Sequence, residues 1–412
     1  MRILYHLGIL GFSFILHLAA LFGHRKATLW IEGRKDWKIR LTEKFKGVSS
    51  CIWIHCASLG EYELSVPLIK EIKKSNPSQH LLITFFSPSG FEVKKNESSV
   101  FHVAYLPIDS AANARDLIDI IRPELVFFAK YDYWFHYLNE LKAQSIPTYV
   151  FSASFRPSQV FFKSYGAWYK TMLLNFTALF VIEEASKKLL QSVGIHNVIV
   201  AGDTRYDRVS DTAHANRDIP FIENFKSNNH LIISGSTWAE DEDVLIPFIN
   251  QLLPNLKFII APHEIEESHL QGIEKKLTVP SVRYSTLSSD SIVSNITVII
   301  IDNIGMLSAL YKYGDIAYIG GAFKQGLHNI LEPLSFGLPV VFGPHYKRFP
   351  EAISFIEAEG AFSISDTNTL SLKIKEISAP NVLENIKKSN STLIAQHIGA
   401  TKKITQSIQW QN

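Results

Sequence analysis

Short unbroken apolar runs, each closed by turn residues and followed by a helical pattern, recur through most of the chain. Ile52–His55, Leu81–Phe86, Phe101–Tyr105, Leu125–Ala129, Thr148–Phe151, Leu179–Ile182 and Val198–Val200 read as strands. They are β-branched or aromatic and continuous rather than alternating, the pattern of a parallel sheet covered on both faces. Tyr62–Lys74, Ala111–Ile121 and Tyr133–Gln144 carry helical spacing between them. A polar, loosely patterned stretch, Asp207–Asn229, is expected to be a linker or surface excursion. The alternation then resumes with Leu231–Ser234, Phe258–Ala261, Val298–Ile301, Ile316–Ile319 and Val340–Phe342. The expected fold class is therefore α/β, with two doubly wound domains in series over residues 25–215 and 216–412. Ligands of such sheets bind beyond the carboxyl ends of the strands, so an interdomain cleft is expected.

The amino terminus breaks this rhythm. Ile3–Phe22 is an apolar run whose polar members are His6, Ser13 and His17. As a helix it is about 30 Å long, near the hydrocarbon thickness of a bilayer. Arg25, Lys26, Arg34, Lys35, Lys38, Arg40, Lys44 and Lys46 follow, opposed by Glu32, Asp36 and Glu43. Residues 1–24 thus read as a membrane anchor, with the rest of the chain on the cytoplasmic side by the positive-inside rule. The dense basic stretch and the lack of a small-x-small site weigh against a cleaved signal peptide. A helix lying in the interface is the other form of anchoring. At 412 residues and a formal net charge of +2, the chain has no global basic footprint for nucleic acid. Its two cysteines, Cys51 and Cys56, flank one strand candidate and are expected to be free thiols. No Cys/His spacing resembles a zinc site.

The candidate chemistry falls at the strand ends. In Ile319–Pro344, Gly320 and Gly321 allow a sharp turn and close approach to a ligand. A helix expected to start near His328–Asn329 would offer amides to an anion, with Glu332 one turn inside to reach ribose hydroxyls. The alternative is a plain turn made by glycines. Glu61 follows the small-residue turn Ser58-Leu59-Gly60; it is either an acid placed to suit the helix dipole or a general base kept ionised by that field. In Gly202-Asp-Thr-Arg-Tyr-Asp207, Arg205 either holds an anion or pairs with Asp203 or Asp207. Thr237 and Glu240 have capping-box spacing, and the following Asp241-Glu242-Asp243 needs no metal to explain it. His263, after Pro262, is a loop residue or a nucleotide contact, and Asn303-Ile304-Gly305-Met306 is a similar turn. Lys130 and Asp132 leave one face if their strand persists, to bind a polar acceptor or to pair with each other.

Together these motifs resemble the 3-deoxy-D-manno-octulosonic acid (Kdo) transferases. The matching elements are Ser58-Leu-Gly-Glu61, Gly202-Asp-Thr-Arg-Tyr-Asp207, Gly235-Ser-Thr237, Asn303-Ile-Gly305 with Leu310-Tyr311, Gly320-Gly321, His328-Asn-Ile-Leu-Glu332-Pro333 and Phe342-Gly-Pro-His345. The resemblance implies the GT-B architecture, with an acceptor domain followed by a donor domain. It implies transfer of Kdo from CMP-Kdo to a lipid A precursor in the cytoplasmic membrane, with inversion and with no cofactor or metal. Glu61 would be the general base and Arg205 would steady transition-state charge. CMP would lie against Pro262, His263, Ile304, Gly305, Met306, Asn329, Ile330, Leu331 and Glu332. Lys130 stands where the family commonly has an acid, and is assigned to the donor carboxylate or an acceptor phosphate. Pro262-His263-Glu264 stands where the family often has Pro-Arg-His, leaving His263 to replace the arginine. A different GT-B transferase, a nucleotide-sugar epimerase and an inactive membrane-tethered binding protein are the alternatives.

Overall fold

The computed structural model describes residues 1–214, 218–288 and 291–408. Two seven-stranded sheets carry the fold. The first contains β1 (Cys51–Cys56), β2 (Leu81–Phe85), β3 (His102–Tyr105), β4 (Pro123–Ala129), β5 (Thr148–Ala153), β6 (Ala178–Val181) and β7 (Val198–Val200), in the order β3-β2-β1-β4-β5-β6-β7. The second contains β8 (His230–Thr237), β9 (Leu256–Pro262), β10 (Ser281–Arg283), β11 (Val298–Ile300), β12 (Ile316–Ile319), β13 (Val340–Phe342) and β14 (Ala361–Ser363), in the order β10-β11-β9-β8-β12-β13-β14. Each pairing is parallel, for example Trp53 with Leu82 and with Val126, and Tyr318 with Ser234. The twelve apolar runs of the sequence are all strands. The two strands it did not announce, β10 and β14, are three-residue edge strands without a long apolar run.

Contacts divide the chain into Met1–Arg208 with the described residues from Ile398, and Val209–His397. In the first unit the strands feed two cores. Cys51 and Trp53 face one side of β1 with Phe128 and Leu138, while Ile52, Ile54 and Cys56 face the other with Leu64 and Leu68. Both cysteines are free and buried, and burial pushes both thiols up. The closing helix Ala400–Gln406 departs from an undivided second domain reaching residue 412. It packs on helix Leu59–Ser75 because Ile404 and Ile408 fill the second of these cores. The described residues of the supposed linker are also more ordered than their polarity predicts. They contain helices Thr204–His214 and Ile222–Lys226, whose sparse apolar residues Tyr206, Val209, Ile222 and Phe225 are all buried.

Helix Arg2–Leu21 is apolar, with a mean hydropathy of 1.8, and none of its residues is fully buried. Its half-buried positions, Tyr5, Ile9, Ser13, Leu16, Ala19 and Ala20, recur at helical spacing and form one stripe. Along that stripe Tyr5 donates to Asp109 at 2.6 Å, and Phe12 packs on Trp30 and Phe86. The opposite positions, including Ile3, Leu7, Phe14 and Ile15, are exposed. Arg34 does not join the basic surface: it is buried, stacks 3.8 Å over Trp30, and donates to the carbonyls of Trp30, Phe86 and Leu106.

Asp207 ties the closing helix down, accepting from the Gly399 and Thr401 amides and from Thr401 Oγ1, all at 2.6 Å. Hydrogen bonds to a charged acceptor are worth about 1.5–3 kcal/mol each. Asp207→Ala is therefore expected to speed amide exchange in Ala400–Gln406 at least tenfold while leaving β8–β14 protected. Hydrogen-exchange mass spectrometry checks this.

Candidate active site

Each sheet has a place where successive crossovers leave in opposite directions, and a crevice opens there beyond the strand carboxyl ends. In the first sheet this is the β1/β4 pair, and in the second the β8/β12 pair. Glu61, Lys130, Trp238 and Glu332 follow these four strand ends, whereas Arg205, His263 and Ile304–Met306 follow β7, β9 and β11.

Beyond β1, helix Leu59–Ser75 begins with Ser58 as its N-cap and Glu61 at its third position, a capping box. Glu61 Oε2 accepts from the Ser58 amide at 2.6 Å and from Ser58 Oγ at 2.8 Å. Its other oxygen, Oε1, accepts no hydrogen bond from the described residues. The helix dipole was expected to keep this carboxyl readily ionised. Instead its pKa is raised, first by burial and then by the charge of Asp132; the Ser58 hydrogen bonds oppose the rise without cancelling it. A raised pKa makes Glu61 a stronger proton acceptor.

Beyond β4 the strand does not persist. Ala129 is its last residue, and Lys130 turns into the left-handed region at φ 58°. Asp132 then faces β1, with Oδ2 3.0 Å from His55 Nε2, rather than running beside Lys130 on a shared strand face. Arg205 follows β7 at the sheet edge, yet its helix is drawn inward. Thr204 Oγ1 donates to the Leu64 carbonyl at 2.7 Å and Arg208 pairs with Glu63 at 3.0 Å, which sets this helix beside the first turns of the Glu61 helix. Arg205 itself grips Asp203, from Nε at 2.8 Å and Nη2 at 2.7 Å.

In the second unit, helix Ala239–Ile249 starts one residue later than the Thr237/Glu240 spacing implies. Its capping residues are Trp238 and Asp241, because Thr237 still belongs to β8. Asp241 is fully buried. It accepts from the Trp238 amide at 3.0 Å, the Gly321 amide at 2.8 Å and Tyr318 Oη at 2.9 Å. It therefore locks the β8 and β12 ends together. Asp243 instead pairs with Lys276, so the two acids of the D-x-D pattern diverge. Among the described residues no group of three or more His, Cys, Asp or Glu is placed to hold a metal ion.

His263 leaves β9 and stacks between Trp238 and His328, 4.6 Å from each ring. Trp238 Nε1 donates to His328 Nε2 at 2.9 Å, and burial with His263 alongside pushes the His328 pKa down to about 4. Trp238 and His328 are members of this cluster that the sequence reading did not assign to the nucleotide; stacking across three strand ends leaves no local signature.

The helix expected near His328–Asn329 begins only at Leu331 and ends at Ser335. Asn329 Oδ1 takes the Leu331 amide at 3.1 Å, and Pro333 has no amide to offer. The anion cradle predicted on this helix start is thus largely occupied by the chain itself. Glu332 sits in the first turn, not a turn inside, and accepts from Ser308 Oγ at 2.5 Å and Asn329 Nδ2 at 3.1 Å. This joins the β11 loop to the β12 loop. Ile304 at the loop tip is 88% exposed, Met306 is buried, and Gly305 has φ 90°. Pro262 ends β9 and is buried; Ile330 and Leu331 point into the core and present only backbone.

Gly321 has φ 91°, and a Cβ there would lie 2.3 Å from the Gly326 carbonyl and 2.9 Å from His328 Cδ2. Gly321→Ala is expected to cost ~2 kcal/mol or more and to open the 321–330 loop. A lowered melting temperature with new proteolytic cleavage in that loop checks it.

Residues 35–208 match the family model described as 3-deoxy-D-manno-octulosonic-acid transferase (kdotransferase). The chain is 28% identical over 351 residues to the 3-deoxy-D-manno-octulosonic acid transferase of Haemophilus influenzae, covering 80% of this chain and 81% of that protein. It is 24% identical over 341 residues to the enzyme of that name from Aquifex aeolicus, covering 81% and 88%. Among solved structures, UDP-GlcNAc 2-epimerase from Neisseria meningitidis matches at a TM-score of 0.61 and 17% identity, over 86% of this chain and 98% of that one. MurG from Acinetobacter baumannii matches at 0.54 and 12%, over 87% and 99%. At such identities these two carry the fold alone, the GT-B pairing of two Rossmann-like units.

Proposed function

We propose, from the premise that this chain belongs to the Kdo transferase family, that it is an inverting glycosyltransferase moving Kdo from CMP-Kdo to a lipid A precursor. The observation that carries the mechanism is the half-buried Glu61 carboxylate at the β1/β4 end, anchored through Oε2, with no hydrogen bond to Oε1 from the described residues and its pKa raised. Oε1 takes the proton of an acceptor hydroxyl as that oxygen attacks the anomeric carbon of Kdo from the face opposite the phosphate. The anomeric carbon–oxygen bond to phosphate breaks and CMP leaves with the electron pair. Met1–Arg208 is the acceptor-binding part in this reading and Val209–His397 the donor-binding part.

In the donor part, the Trp238–His263–His328 stack offers flat surfaces and ring nitrogens to a base or a phosphate, and Glu332 offers a carboxylate to ribose hydroxyls. Arg205 steadies developing negative charge only if its grip on Asp203 is shared with or released to the substrate. Lys130 is assigned to an anionic group of donor or acceptor. The reading needs no metal for the transfer step.

The amino-terminal helix is proposed to hold the protein on the cytoplasmic face of the membrane. Its docked stripe and exposed apolar remainder favour a helix lying in the interface over one that leaves the unit to cross the bilayer.

Incubation with CMP-Kdo and a tetraacylated lipid A precursor, followed by mass analysis of the lipid, tests the function. A product heavier by one or more Kdo units is expected, and an unchanged lipid overturns the assignment. Glu61→Gln is expected to lower transfer about 10²–10⁴-fold with CMP affinity within threefold of normal, measured by calorimetry. Glu332→Ala is expected to weaken CMP-Kdo binding about tenfold and leave acceptor affinity unchanged. Removal of residues 1–24 is expected to move the protein from vesicles to the soluble fraction in flotation, with Kdo transfer to detergent-dispersed acceptor retained.

A further inference from the structure

Helix Ala239–Ile249 buries a second carboxylate in its first turn, Glu242, and the transfer mechanism leaves it unused. Thr237 Oγ1 donates to its Oε1 at 3.0 Å, and His269 Nε2 lies 3.0 Å from Oε1 and 2.9 Å from Oε2. His269 is half-buried in the first turn of helix Glu267–Lys276. Its other ring nitrogen, Nδ1, is 3.0 Å from the Glu264 carbonyl oxygen. A carbonyl only accepts, so Nδ1 carries a hydrogen. A carboxylate also only accepts, so a second hydrogen lies between Nε2 and Glu242, whether it rests on nitrogen or on oxygen. Without it a nitrogen lone pair would face a buried carboxylate at 2.9 Å. The contact therefore needs one proton more than a neutral imidazole beside a carboxylate supplies. It also closes a short loop. His269 holds the Glu264 carbonyl at one end, and the His263 amide donates to the Thr237 carbonyl at 2.9 Å at the other. Between these ties the His263 ring is stacked against Trp238 and His328.

We propose that His269 is a positioning residue: through the proton it shares with Glu242 it holds the Pro262-His263-Glu264 turn so that His263 stays in its stack, and loss of that proton frees the turn. The consequence for donor binding rests on the assignment of this stack to the donor nucleotide. The charged and titratable groups around His269 come from several elements. They are Glu242 and Asp243 from helix Ala239–Ile249, His263, Glu264 and Glu266 from the loop after β9, and Glu267 and Lys276 from its own helix. Asp243 is taken by Lys276 and Glu267 by Arg283, whereas the partners of Glu242 among the described residues are Thr237 and His269. Burial, and then His263, push the His328 pKa down to about 4, so that ring stays neutral through the neutral range. The turn is held below the titration midpoint of the His269–Glu242 pair and freed as pH rises through it.

Glu242→Gln separates this role from packing. A glutamine amide can donate to the bare Nε2 of a neutral imidazole while its oxygen still accepts from Thr237, so the extra proton is no longer needed. The first measurement uses the full-length protein in detergent with no ligand. Amide exchange of peptides spanning residues 262–266, corrected for the intrinsic rate, is expected to speed about tenfold as pH rises through the His269 midpoint. That midpoint is read independently from exchange of the His269 ring C2 hydrogen. The step is expected to vanish in Glu242→Gln, where the turn stays protected throughout, and in His269→Ala, where exchange is fast throughout. The second measurement is CMP affinity by calorimetry. It is expected to weaken about tenfold above the midpoint in wild type, to stay level in Glu242→Gln and to be weak at every pH in His269→Ala. An exchange step that is missing in wild type, or that persists in Glu242→Gln, overturns the proposal. A purely structural role would leave His269→Ala less heat-stable but with the wild-type exchange and its pH step, and that result overturns it as well. If exchange behaves as expected while CMP affinity does not follow it, the positioning role stands and the assignment of this stack to the nucleotide falls.

Discussion

A parallel strand releases its chain at one end, and that constraint governs everything chemical in this protein. Every strand pairing in both sheets is parallel, so each strand must be followed by a crossover that brings the chain back to the sheet's starting end before the next strand begins. The loops at the carboxyl ends therefore converge on one rim of each sheet. Where the crossovers change direction, between β1 and β4 and between β8 and β12, neighbouring loops part and leave space for side chains that residues far apart in sequence supply. Glu61 and Asp132 follow the two strands at one such place, and Asp241 bonds Gly321 at the other.

The two rims solve the problem of burying acids differently. Asp241 has no solvent exposure and three donors, two of them backbone amides, and its carboxylate acts as a fastener for the Gly320-Gly321 turn. Its pKa is nonetheless raised, because burial outweighs the hydrogen bonds. Glu61 is also raised, but it is only half-buried and its Oε1 accepts no hydrogen bond from the described residues. The same shift thus accompanies a structural acid in one unit and a chemically available one in the other. What separates them is the count of satisfied lone pairs, not the direction of the shift.

The first unit also couples its apolar amino-terminal helix to its fold through polar contacts inside an aromatic setting. Tyr5 bonds Asp109, which also accepts the amides of His136 and Tyr137 at the start of helix Phe135–Ala143. That helix follows the turn bearing Lys130, Asp132 and Trp134. The amino-terminal helix and the β4 loop are thus braced by one buried carboxylate. Arg34 does comparable work for the segment after that helix, satisfying three carbonyls at once beneath a tryptophan ring.

The sequence by itself determined the sheets, the alternation of strand and helix, the apolar first helix and the strand-end location of Glu61, Lys130, Arg205, His263 and Glu332, because burial on both faces writes continuous apolar runs and turn residues punctuate them. It announced neither β10 nor β14, since three-residue edge strands bury too little to leave a pattern. Contacts between distant segments were decided only by the tertiary structure. At the Asn329–Glu332 turn the helix starts late, with the Leu331 amide given to Asn329 Oδ1 and Pro333 having no amide to offer. Arg205 turns to Asp203, Asp132 turns to His55, and Trp238, His263 and His328 stack from three separate strand ends. The reason is the same in each case: local pattern reports which face of an element is buried, whereas a side chain's partner depends on which other elements the sheet order brings to its end.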